Sequence, residues 1–150
     1  MSLNELISKI TQDNANAALV ISTYRGNPSN IQFLQRDGIV HYELHLESAV
    51  LRREVANDVR NRIDKITMVV TLLNSSELLK KFAQYLSSLL SVPIATFSSV
   101  NDVTIGTSNQ AFILLQESGR KIHWSWHLAT NHVELGPRIR ITRLRSKSND

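Results

Sequence analysis

Lys121 to Leu128 reads Lys-Ile-His-Trp-Ser-Trp-His-Leu and alternates without a break. Ile122, Trp124, Trp126 and Leu128 fall on one side; Lys121, His123, Ser125 and His127 fall on the other. Successive side chains leave opposite sides of an extended backbone, so this period of two predicts a β-strand with one buried and one polar face. The stretch carries both tryptophans of the chain and two of its five histidines. What lies beside it therefore decides how the core is filled and whether the polar face can act.

The remaining chain supplies more strands and three amphipathic stretches. Ser2-Leu-Asn-Glu5 is a capping box, and Leu3, Leu6, Ile7 and Ile10 extend it as a helical stripe ending near Asp13 or Asn14. Ala18 to Tyr24 and Ile31 to Gln35 read as strands around the turn cluster Arg25-Gly-Asn-Pro-Ser29. Asp37-Gly38 predicts a hairpin, because both residue types tolerate positive φ. The returning strand, Val40 to Glu47, puts Val40, Tyr42, Leu44 and Leu46 on one face and His41, Glu43, His45 and Glu47 on the other. Leu51, Val55, Val59 and Ile63 recur at helical spacing, predicting a partly exposed helix over Arg52 to Asp64.

Ile66 to Leu73 alternates little, as expected of a central strand covered on both faces. Asn74-Ser-Ser-Glu77 predicts a second capped helix, with Leu78, Leu79, Phe82, Leu86, Leu89 and Leu90 as its apolar face and Pro93 as its stop. Strands are expected at Ile94 to Ser98, Val103 to Ile105 and Phe112 to Gln116, with a turn at Ser118-Gly119 leading into Lys121 to Leu128. After Gly136-Pro137, Arg138 to Arg145 begins Arg-Ile-Arg-Ile-Thr and changes phase near Thr142-Arg143, where a bulge or the strand end belongs.

Two hairpins can be laid on each other with one gap, Phe33 to Leu46 on Leu114 to Leu128. Leu34, Gln35, Gly38, His41, His45 and Leu46 match Leu115, Gln116, Gly119, His123, His127 and Leu128. The expected architecture is α+β: an antiparallel sheet of about seven to eight strands with amphipathic helices on one face, from a unit of one helix and about four strands used twice. The units are 2–74 and 75–146 of one domain, 1–150, followed by a basic polar tail, 146–150. The alternative is that two unrelated hairpins share common turn and strand chemistry.

Composition narrows the chemistry. With no cysteine, disulfides, thiolate catalysis and cysteine-ligated zinc are excluded. The longest apolar runs are strand-sized, and the capped N-terminal pattern is not that of a secretory signal, so a cytoplasmic setting is expected. Net charge is +4, and Arg138 to Asp150 holds five cations against one acid. Such a stripe attracts nucleic acid, an acidic protein or an anionic membrane surface, or it is a solvated rim of charge on a sheet edge.

Four histidines lie on predicted polar faces. His41 and His45, like His123 and His127, sit four apart on a strand, about 13 Å between Cα atoms, so neither pair can grip one metal ion. If the two strands pair antiparallel about a twofold axis, His41 opposes His127, His45 opposes His123 and Glu43 opposes Ser125. That arrangement would suit a metal site in which Glu43 or Glu47 supplements the histidines, or a metal-independent ribonuclease in which a histidine is the base, a histidine or Glu43 the acid, and an arginine holds the phosphate. His123-Trp-Ser125 is similar to the His-φ-Ser/Thr element of two-histidine phosphoesterases, which carry it twice; here the second copy reads His41-Tyr-Glu43.

The first expectation is a binding module rather than an enzyme, with no cofactor and no metal. It uses a polar sheet face and the basic C-terminal strand to hold an anionic partner, nucleic acid before acidic protein, through Lys121, Arg138, Arg140, Arg143, Arg145 and Lys147. An assembly subunit or homodimeric adaptor is the second, and the ribonuclease is the third. Trp124, Trp126 and Tyr42 are assigned to the core rather than to a base-stacking platform.

Overall fold

A computed structural model describes residues 1–55, 62–103 and 109–147. Its elements are α1 (Leu3–Gln12), β1 (Ala17–Tyr24), β2 (Asn27–Gln35), β3 (Val40–Val50), α2 (Arg52–Val55), β4 (Lys65–Leu72), α3 (Glu77–Leu90), β5 (Ile94–Phe97), β6 (Gln110–Ser118), β7 (Lys121–Leu128) and β8 (Arg138–Ser146). Val100–Asp102 forms a 3-10 turn. All eight strands join one sheet in the order β1-β2-β3-β8-β7-β6-β4-β5. No helix among the described residues is long and apolar enough to cross a membrane.

Local chemistry sets the helix ends. Ser2 Oγ accepts from the Glu5 amide at 3.2 Å while Glu5 Oε2 accepts from the Ser2 amide at 2.7 Å, the reciprocal capping box. α3 starts two residues later than the Asn74 box suggests. Ser76 is its N-cap, accepting from the Leu79 amide, because Ser75 is already committed to the Leu72 carbonyl. The helix ends at Ser91 in the left-handed region, φ 54°, ahead of Pro93. α2 supplies the first turn of the expected Arg52–Asp64 helix; residues 56–61 lie outside the described residues and 62–64 are not helical, and residues 104 and 105 of the expected short strand and the end of the basic tail also lie outside the described residues.

The sheet is mostly, not wholly, antiparallel. β4 runs parallel to both β5 and β6. For the β4–β5 pair the cause is α3: a helical crossover carries the chain back to the end where β4 began, so β5 runs the same way. Val69 and Val70, successive residues of β4, are both fully buried, which explains the missing alternation there.

The two similar hairpins do form, as β2–β3 and β6–β7. They flank β8, which is antiparallel to β3 and to β7. β3 and β7 are therefore parallel to each other and are not neighbours, so no twofold axis normal to the sheet relates them. The duplication expected from sequence is not established by this topology.

The helices do not share one face. α3 fills one side of the sheet: Phe82 packs edge-on against Phe33 at 5.7 Å and Trp124 at 5.8 Å, and against Tyr42 at 5.2 Å. Phe33 and Trp124 stack at 6.4 Å although β3 and β8 separate their strands. In a flat sheet three strand spacings would hold them about 14 Å apart, so this side is concave and wraps α3. α1 lies on the opposite, convex side, where Leu3 and Leu6 share a cleft with Val20, Leu34 and Val40. At the far end of the same convex side, Val100 and Val103 cover Val70, Phe112 and Leu114. An amphipathic stripe states that a helix needs a face, not which face. The convex centre, β3-β8-β7, lies between these two coverings.

Candidate functional site

The open centre is organised by a double irregularity in the β3–β8 ladder. Tyr42, Glu43, Leu44 and His45 oppose Ser146, Arg145, Leu144 and Arg143; Leu46 then opposes Ile141, and Ser48 opposes Arg140. Thr142 is skipped on one strand and Glu47 on the other, so register is regained while both strands change phase together. Ile139, Ile141 and Leu144 consequently all enter the concave core, and Ala49 joins Leu44 and Leu46 there. Arg138, Arg140, Arg143 and Arg145 stay together on the convex side. Without the shift, Arg140 and Arg143 would point to opposite sides. The Thr142 hydroxyl seals the bulge by donating to the His45 carbonyl at 3.2 Å.

The cations there divide into two sets. Arg138 is clamped by Glu134, Nε donating to Oε1 at 3.0 Å with a second bond from Nη2 to Oε2. Lys121 reaches across β8 to Glu47 at 2.9–3.0 Å. Lys147 lies 3.3 Å from Glu43. Arg140, Arg143 and Arg145 are exposed and enter no salt bridge among the described residues. Three of the six cations expected to hold an anion are thus neutralised in place, and three remain available.

Glu43 is the buried anchor of the face, 8% exposed. Gln32 Nε2 donates to it at 3.0 Å, and Asn30 adds a further hydrogen bond. The Gln32 bond first, then Lys147 and Asn30, hold its carboxyl down at about 2 against the cost of burial. His45 Nε2 stands 3.0 Å from Glu43 Oε1 without forming a hydrogen bond. Gln32 and Asn30 carried no signal in the sequence, because their role depends on the β2–β3 register.

The four histidines do not meet. A register shift after Phe33 turns His41 out of the strand's polar row. It bonds Asp37 at 2.8 Å and stacks on Tyr85 of α3 at 6.1 Å, on the concave side. His45 stands by Glu43, and His123 opposes Arg140. His127 is half-buried, stacked on Phe112 at 5.4 Å. Its Nδ1 lies 3.0 Å from the His132 carbonyl, which can only accept, so Nδ1 carries the proton. Nε2 is then the acceptor for the Ser125 hydroxyl at 2.8 Å. Burial pushes the His127 pKa below its ordinary value, keeping this tautomer neutral. His132 in turn bonds the Val103 carbonyl, tying the loop to the segment that covers Phe112.

The expected opposition of His41 with His127, of His45 with His123 and of Glu43 with Ser125 is overturned by β8 standing between β3 and β7. Glu43, held ionised by Gln32, Lys147 and Asn30, is not a proton donor near neutral pH. No group of three metal-ligating side chains is placed to share an ion among the described residues. What the convex centre can do is present three guanidinium groups along one strand to an extended anion.

No family model matches the chain. No curated protein matches it by sequence. Among solved structures it is similar to a "probable ribosomal biogenesis protein from Aeropyrum pernix K1", with a TM-score of 0.66 and 16% identity over 100% of this chain and 78% of that one. It is also similar to Mil, an archaeal Imp4-like protein, with a TM-score of 0.57 and 16% identity over 97% of this chain and 77% of that one. At such identities the likeness is one of fold.

Proposed function

We propose that the chain is a non-enzymatic nucleic-acid-binding module that holds RNA by its phosphates on the convex centre of the sheet. The observation that carries this reading is the row Arg140, Arg143 and Arg145, exposed, in no salt bridge among the described residues and kept on one side by the paired bulge, with Arg140 near enough to Glu47 and Glu134 to feel their charge. The aromatic side chains of β7 are committed to the concave core, so attraction to the backbone, not base stacking, supplies the affinity. Fold likeness to a ribosomal biogenesis protein favours RNA over DNA and over an acidic protein. Lys121, Arg138 and Lys147 act as positioning groups, held by Glu47, Glu134 and Glu43.

The test is fluorescence anisotropy of a labelled structured RNA titrated with protein across a salt series. Three phosphate contacts give log affinity against log salt a slope of about −2 on a single strand and about −3 on a duplex. Replacing Arg140, Arg143 and Arg145 together by alanine should bring the slope close to zero. Wild-type protein that does not bind RNA at low salt, or binds with a slope unmoved by the triple replacement, sinks the proposal. Binding of acidic peptides in preference to RNA would transfer the site to a protein partner.

A further inference from the structure

The two rims of the sheet are guarded differently. β5 is a rim of four residues, too short to recruit much. β1 is a rim of eight residues, Ala-Ala-Leu-Val-Ile-Ser-Thr-Tyr, without charge, proline or glycine. An edge strand exposes a row of unpaired N–H and C=O groups, and folded proteins guard long ones with charge, proline or a cover. β1 carries no charge or proline. Its apolar residues are instead open: Leu19 is 50% exposed and Ile21 56% exposed.

We propose that β1 is a pairing edge for β1 of a second copy of this chain, joined antiparallel about a twofold axis normal to the sheet. A twofold contact sets a patch against itself, so the edge must be self-complementary. β1 meets that requirement in two ways. It brings no like charges together, since Ala17–Tyr24 holds none. Leu19 and Ile21 also lie on the same side of the strand. With Val20 on the axis, Leu19 opposes Ile21 of the second copy and Ile21 opposes its Leu19. Directly opposed residues of an antiparallel pair share a face, so both apolar pairs fall on the concave side. Leu19 there borders a cavity of about 350 Å³ lined with Phe33, Leu86, Leu90 and Trp126, which gives the incoming isoleucine an apolar wall. A charged partner strand would find no counter-charge on this edge.

The arrangement has a consequence for the convex side. A twofold axis normal to the sheet leaves both convex faces pointing the same way. The two rows of Arg140, Arg143 and Arg145 then face the same way on either side of the two α1 helices, and an RNA long enough to reach both gains by the high local concentration of the second site.

Light scattering after size exclusion tests this on the full chain. The wild type should show twice the chain mass of 17.0 kDa at high concentration and dissociate on dilution. Ile21→Lys and Leu19→Lys, each at an exposed position, should give the single-chain mass with an unchanged circular dichroism spectrum. Leu73→Lys, exposed but away from β1, should leave the dimer intact. A wild type that keeps the single-chain mass throughout its soluble range overturns the proposal, as does a dimer that survives both β1 lysines. Affinity of Ile21→Lys for a short RNA should match wild type, so failure of dimerisation is distinguishable from failure of RNA binding.

Discussion

β7 and β8 each have two sides, and the two sides of the molecule are built on opposite principles. On the concave side, Trp124, Ile139, Ile141 and Leu144 meet Phe82, Phe33 and Tyr42 in one continuous core. On the convex side the same strands carry charges: among the described residues Lys121 and Arg138 are each tied to a carboxylate, while Arg140, Arg143 and Arg145 enter no salt bridge. The concave side tolerates few changes because close-packed side chains leave no room to relax. The convex side instead holds some of its cations against single carboxylates and leaves others exposed, and the proposed RNA site rests on that difference.

Four substitutions sharpen that contrast. The largest expected effect is Phe82→Ala, which empties the centre of the aromatic cluster and should cost about 3–5 kcal/mol in a denaturant titration. Its binding per folded molecule should be unchanged. Next comes Glu43→Gln, which removes the charge that Lys147 answers and Gln32 donates to, and should cost about 1–3 kcal/mol. Ser125→Ala follows, leaving His127 Nε2 without its donor at a half-buried site, at about 1–2 kcal/mol. Smallest in stability is the Arg140, Arg143 and Arg145 triple alanine, about 0.5 kcal/mol or less, since exposed residues without partners contribute little to the fold.

Acid should unpick the convex side in two windows. His127 has a folded pKa below 6.5, so the unfolded chain binds its proton first, and stability falls as pH drops below about 6.5. Glu43 has a folded pKa near 2 against an ordinary 4.5, so its contribution is complete above the ordinary value and is lost as pH falls toward 2. Unfolding midpoints measured from pH 7 to pH 2 should show both steps. His127→Gln should flatten the upper one and Glu43→Gln the lower one. A wild-type midpoint that stays level across both windows would contradict these assignments.

The β7 faces were legible because period two is a property of one strand alone. The phase change at Thr142 was legible for the same reason. Its counterpart at Glu47 was not, since a matched bulge belongs to the pairing of β3 with β8 and leaves Leu46-Glu47-Ser48 looking ordinary. His41 shows the same limit: its strand alternates cleanly in sequence, yet a register shift against β2 turns it toward Tyr85. Strand order was illegible because contacts between residues as distant as His45 and Arg143 leave no mark on local pattern. That single fact separates β3 from β7 and with them the histidines. The basic strand was readable as a stripe of charge, but which cations are spent on Glu43, Glu47 and Glu134 required the side-chain geometry.

The most direct test of the convex row separates position from net charge. RNA affinity at fixed low salt is compared for the Arg140, Arg143 and Arg145 triple alanine and for Arg25, Lys81 and Arg120 replaced together by alanine. Both variants lose three positive charges, but only the first loses the row along β8. The expected result is near-abolished binding in the first and close to wild-type binding in the second. Equal losses in the two would mean that overall charge, not the convex face, holds the RNA.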